Sequence, residues 1–211
     1  FVTAYEAAGG TVTVMAGHED DKADYSADVA ALSAGGSATL AVLGYADTGG
    51  RGIIAASEDT GAFTDYIFGD GMISEVTSGA VADGSWGTLP SPDADLGANW
   101  KAVAEAGGVD GSGVFSAESY DAMALIILAS QAAGSTDRAA IQAQVLNVAN
   151  APGRLCSAGS LGDCLKWISG GLEVDYVGAT GVELDAGGTA NGSYAEREVI
   201  GGLFTDVKIH K

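Results

Sequence analysis

Cationic side chains are scarce in this sequence. Nine Lys and Arg stand against 28 Asp and Glu, a formal net charge of −19 over 211 residues. A surface this acidic repels phosphate backbones and anionic headgroups, which excludes nucleic acid and disfavours an anionic membrane. The acids are scattered rather than run together, so they describe a solvated surface and not an acidic tail. Such a surface suits a salty or extracellular setting. Long apolar runs are missing as well. The longest, residues 122–129, stops at Ser130 and Gln131, far short of the roughly 20 residues that cross a bilayer.

Histidine occurs only at His18 and His210. One falls at a predicted strand end and the other beside the C-terminal residue, and both are read as surface residues. With no Gly-x-Ser-x-Gly, nucleophilic hydrolysis has no catalytic set to use. No Gly-x-Gly-x-x-Gly follows a strand and no Gly-Lys-Ser/Thr occurs, so hydride and phosphoryl transfer lack their phosphate loops. Gly49-Gly50-Arg51-Gly52, near a helix start, offers at most a weak anion site. The chain therefore reads as a non-enzyme without a cofactor.

Cysteine is limited to Cys156 and Cys164, eight residues apart in a Gly/Ser-rich stretch. A metal site needs more Cys or His close by. The better reading is a local disulfide, with export to an oxidising compartment, and two free buried thiols are the alternative.

What the chain has in abundance is apolar and small residues. Hydrophobic residues make up 47% and glycine 33 positions, which rules out disorder and, without a three-residue period, collagen. There is no initiator Met and no basic leader. Phe1, Tyr5 and Ala8 share a helical face that stops at Gly9 or Gly10, and no cap precedes them. The expectation is a chain that begins inside an element of a longer protein. Strands are predicted at residues 11–16, 39–44 and 65–68, with helices at 25–34 and 48–60 between them. That α-β-α-β order predicts an α/β fold, a parallel sheet flanked by helices.

A weak helix is predicted at 74–82 and a short strand at 85–89. Helices at 95–106, 116–133 and 136–148 then follow with no strands between them. They are expected to cover a sheet whose strands lie outside this chain. Strands return at 182–184, 194–200 and 203–209, with Asp185-Ala186-Gly187-Gly188 signalling a hairpin between the first two.

Ligands of open parallel sheets bind beyond the carboxyl ends of the strands. Gly44-Tyr45-Ala46-Asp47 follows one such strand and Gly69-Asp70-Gly71 the next. Tyr45 offers an aromatic face with a hydroxyl, and Asp70 a carboxylate between two glycines where backbone can approach a ligand closely. Ordinary packing for Tyr45 and turn formation for Asp70 are the plainer readings.

The ordered set Asp24-Tyr25-Ser26-Ala27, Gly44-Tyr45, Gly69-Asp70-Gly71, Glu118-Ser119-Tyr120-Asp121-Ala122 and Ala179-Thr180-Gly181-Val182-Glu183-Leu184-Asp185 resembles the second half of a type I periplasmic substrate-binding protein. Within that group it is most similar to the branched-chain amino acid (Leu/Ile/Val) binding proteins of ABC importers. The resemblance implies two α/β lobes with a ligand in the cleft between them. Residues 1–84 would be a second-lobe segment, 85–151 returning first-lobe helices, and 152–211 a crossing back to the second lobe. It further implies a small-molecule ligand such as an amino acid, a membrane permease as partner, a missing N-terminal lobe of the same protein, and a periplasmic or otherwise extracytoplasmic location. Tyr45 matches the family's second-lobe aromatic and Asp70 its ammonium-binding acid. Phe115 resembles the aromatic heading the long first-lobe helix. A receptor's extracellular sensor domain is the first alternative, and a flavodoxin-like enzyme the second.

Overall fold

The structure is a computed structural model that describes residues 1–74, 77 and 79–210. The chain divides into two compact units, Phe1–Leu89 with Ala195–Lys208, and a second built on Pro90–Tyr194. Residues 152–194 group with the helices before them rather than with the C-terminal strands.

The first unit is a parallel α/β arrangement. Helices α1 (Val2–Ala7) and α2 (Ser26–Ser33) precede strand β1 (Thr39–Val42), helix α3 (Gly50–Thr60) lies between β1 and β2 (Asp65–Phe68), and β3 (Trp86–Pro90) follows. β1 pairs parallel with β2 from Thr39 opposite Asp65 to Val42 opposite Phe68, and β2 pairs parallel with β3. Strands β8 (Tyr194–Ile200) and β9 (Leu203–His210) complete the sheet in the order β1-β2-β3-β8-β9. Leu40, Val42, Tyr66 and Phe68 bury against Val29, Ile53, Ile54 and Met72. On α3 the buried Ile53, Ile54, Ala56 and Ser57 form one face at helical spacing, and Gly61 ends the helix in the left-handed conformation at φ 63°. The Tyr66 hydroxyl sits 2.7 Å from both the Ser57 hydroxyl and a Glu58 carboxylate oxygen, and burial pushes its phenol up to about 12.

The strand expected at residues 11–16 does not form. β-Branched composition favours a pleated surface but does not supply a ladder partner. These residues instead line a pocket of about 170 Å³ with Phe1, Tyr5 and the edge strand β1. The expected helix at 48–60 starts at Gly50, after a single 3-10 turn over Ala46–Thr48. Of the weak helix expected at 74–82, residues 75, 76 and 78 lie outside the described residues.

β8 and β9 are joined by Gly201-Gly202, both at positive φ (62° and 76°), as a two-residue hairpin requires. The Asp83 carboxylate accepts both glycine amides, at 2.8 and 3.1 Å. These bonds hold its carboxyl below the usual carboxylate range. A lowered folded value means stability that is fully present above the unfolded range and lost as pH falls through the folded value. Asp83→Ala should therefore melt below wild type at neutral pH, and the gap should close on acidification to below the usual carboxylate range. A gap that persists in acid would show that Asp83 acts by something other than its charge.

The second unit contains helices α4 (Ala94–Ala106), α5 (Ser116–Ala133), α6 (Arg138–Ala149) and α7 (Leu161–Ser169). Asp93 caps α4 by accepting from the Leu96 amide, and Asp137 caps α6 by accepting from the Ala139 and Ala140 amides. The expectation that these helices have no sheet in this chain is corrected. β4 (Arg154–Ser157) and β5 (Val174–Gly178) pair in parallel around α7, and Val174 and Tyr176 pack with Leu125, Leu128 and Val148. Strands this short were not legible because turn residues dominate their flanks. The expected hairpin partner is corrected too. β6 (Glu183–Leu184) pairs antiparallel with β7 (Ala190–Asn191), not with 194–200. Asn150 holds β6 by donating to the Leu184 carbonyl and accepting from its amide, each at 2.9 Å.

The disulfide between Cys156 and Cys164 forms. It does not lie in a loop. Cys156 is on β4 and Cys164 on α7, and both are fully buried in the unit's core. The bridge ties strand to helix inside the core.

Candidate functional site

The carboxyl ends of β1 and β2 carry the two residues singled out in the first unit. After β1 the chain runs through Leu43 and Gly44 to Tyr45, which is 68% exposed. After β2 it turns through Gly69 into a single 3-10 turn, Asp70–Met72. Asp70 is exposed and its carboxylate accepts the Gly71 amide at 2.9 Å. Gly71 brings the two strand ends together. A Cβ at position 71 would stand 2.7 Å from the Tyr45 ring and would overlap the Gly44 carbonyl oxygen. Only glycine admits that approach. The Tyr45 ring thus lies against the backbone at Gly71, the residue after Asp70.

Phe115 belongs to the second unit, directly before α5. It is 39% exposed and adopts φ 62°, one of two non-glycine residues at positive φ among the described residues. An aromatic side chain in the left-handed region costs about 1–3 kcal/mol and persists only where surrounding structure imposes it.

His18 is not simply a surface residue. Its side chain is 23% exposed, and Nε2 lies 3.1 Å from where a Cβ on Gly44 would stand. Its ring meets Tyr25 edge-on, with centroids 6.1 Å apart. Tyr25, 3% exposed, anchors the loop. Its hydroxyl donates to the Glu19 carbonyl at 2.8 Å and accepts the Lys22 amide at 3.1 Å, while the Asp21 amide donates to the Thr48 carbonyl. The signal available in the sequence was the glycine series 44, 49 and 52, which leaves room for these two rings.

That series also corrects the anion-site reading of Gly49-Gly50-Arg51-Gly52. A side chain at Gly52 would strike the Tyr25 ring at 2.7 Å, and one at Gly50 would strike Met72. Arg51 is paired with Asp47 at 2.9 Å and donates to the Ala46 carbonyl. These glycines serve packing.

Among the described residues, no group of three or more His, Cys, Asp or Glu is placed to hold a metal ion. No helix among them is long and apolar enough to cross a membrane.

No family model matches the sequence, and no curated protein matches it. Solved structures do. The leucine binding protein LivK of Thermotoga maritima superposes with a TM-score of 0.59 at 18% identity over 90% of this chain. The solute binding protein of an ABC transporter from R. palustris, in complex with benzoate, gives 0.61 at 15% identity over 98%. A second R. palustris solute binding protein, in complex with 4-hydroxybenzoate, gives 0.66 at 17% identity over 99%. The chain spans about half the length of each, 49%, 52% and 55% respectively. At this identity the likeness concerns the fold, and the fold is the α/β architecture of periplasmic binding proteins of type I, with a mostly parallel central sheet flanked by helices.

Proposed function

We propose that this chain is part of an extracytoplasmic solute-binding component of an ABC importer, without catalytic activity, that binds an amino acid of the branched-chain type or a similar small amphiphile. The observation that carries the reading is the close approach of the Tyr45 ring after β1 to Gly71 after β2, the residue that follows Asp70. That is where open parallel sheets take their ligands. The Asp70 carboxylate would receive a ligand ammonium and the Tyr45 ring its apolar part. Phe115, held in a costly backbone conformation, is the third proposed ligand residue.

On this reading the first unit is the second lobe, and the second unit belongs to a first lobe completed by polypeptide beyond this chain. Helix α5 supports that. Met123, Ile126 and Ile127 are exposed on the side away from the buried Leu125 and Leu128, and a helix apolar all round is one that is covered on both sides. The buried disulfide supports an oxidising, extracytoplasmic location. A membrane permease would be the partner of the ligand-loaded protein.

The test is calorimetry and thermal shift on the full-length protein with leucine, benzoate and 4-hydroxybenzoate. Saturating leucine should raise the melting temperature, as any ligand of the native state must. No shift and no heat with any of the three would remove the reading.

A further inference from the structure

We infer that the His18 imidazole is a ligand-binding group of this site, presenting Nε2 to a polar group of the bound molecule, an inference that rests on the solute-binding reading above. Three observations carry it. First, place: His18 packs on Gly44, the residue before Tyr45, and Gly71 packs on the same Gly44-Tyr45 pair from the Asp70 side. The imidazole and the Tyr45 ring therefore both pack on strand-end backbone after β1 and β2, and Asp70 precedes Gly71 in the second of these turns.

Second, orientation. Nδ1 lies 3.4 Å from the Glu19 carbonyl and 3.9 Å from an Asp20 carboxylate oxygen. Those groups occupy the Nδ1 side of the ring, so Nε2 is the nitrogen on the strand-end side. An imidazole with one nitrogen engaged by the backbone offers the other to a partner in a defined direction.

Third, rigidity. The loop is clamped through the buried Tyr25, through the Asp21–Thr48 backbone bond, through Gly49 and Gly52, where any side chain would collide with Tyr25, and through Gly44, where one would crowd His18. A binding group held this way is already in position when the ligand arrives, which lowers the ordering cost of binding. A solvated surface histidine needs none of these fittings.

The consequence for the ligand is chemical. A molecule lying on Tyr45 would carry two polar groups, one reaching Asp70 and one reaching His18, around an apolar body. Free amino acids and hydroxylated aromatic acids have that character, and a plain hydrocarbon acid has half of it.

The experiment is proton NMR of the histidine Cε1–H signals in the full-length protein, with leucine, benzoate and 4-hydroxybenzoate each as probe and binding measured in parallel by calorimetry. His18→Gln identifies the signal, and His210 serves as the internal reference. The expected result is that a probe which binds moves the His18 signal and leaves that of His210 in place, and that His18→Gln weakens its binding about tenfold, as loss of one well-formed hydrogen bond does. A probe that binds while the His18 signal stays put, or that binds His18→Gln as tightly as wild type, overturns the inference and leaves the solute-binding reading standing. If no probe binds, that reading falls and takes the inference with it.

Discussion

Replacing Asp70 by Ala in the full-length protein is expected to weaken leucine binding by roughly ten- to a thousandfold, because a desolvated ammonium would lose its counter-charge. The carboxylate is free to serve. It stands exposed on a one-turn 3-10 segment and accepts the adjacent Gly71 amide. Removing it should therefore leave the melting temperature of the ligand-free protein nearly unchanged while calorimetry registers the loss. Asp70→Asn keeps the shape and the acceptor oxygen but not the charge, so it should lose nearly as much. A less than tenfold loss in Asp70→Ala would take Asp70 out of the site, and recognition would then rest on the other proposed residues, Tyr45, Phe115 and His18.

The largest stability effect is expected at Asp121. This residue, on α5, is 2% exposed, yet its carboxylate is fully engaged. One oxygen accepts the Tyr176 hydroxyl at 2.7 Å and the Ala179 amide at 2.8 Å. The other accepts the Thr180 amide at 2.8 Å and the Thr180 hydroxyl at 2.7 Å. Burial, and then the neighbouring carboxylate, push the Tyr176 phenol well above its ordinary value, so it remains a donor. Gly178, at φ 63°, has no room for a side chain because Tyr176 and Asp121 fill it. Asp121→Ala would strand these donors in the interior, at a cost of about 3–4 kcal/mol. For a chain of this size that is a fall in melting temperature of about 10 °C. Asp121→Asn should lose a large share of this, since an amide offers only one acceptor oxygen where the site uses two. A fall of less than about 3 °C in Asp121→Ala would mean that water replaces the carboxylate at little cost.

The two sites differ in how far they were visible. Asp70 and Tyr45 stand directly after short apolar runs that terminate in glycine, so their place at strand ends could be read from spacing. Asp121 could not. It sits four residues from Leu125 on an alanine-rich helix, and nothing local tells that its partners lie more than 50 residues away at Tyr176, Ala179 and Thr180. His18 was discounted for the same reason. Its role depends on Gly44 and Tyr25, and which residues share a point in space is a matter of crossover geometry, not of composition.

The sequence by itself determined the layered class of this protein, the parallel pairing of β1 and β2 and the helices at 95–106, 116–133 and 136–148, and it favoured the pairing of the two cysteines over free thiols. Each is a local property, carried by periodicity, by glycine stops, or by the lack of any other partner. Tertiary structure decided the rest. Residues 11–16 have strand composition but no ladder partner here. Arg154–Ser157 and Val174–Gly178 became strands because each found the other, beneath helices that needed a surface to cover. The disulfide moved from an expected loop into a core because that sheet formed around it. Hydrogen-bonded ladders and buried carboxylates are satisfied by distant residues, so the chain must fold before they exist.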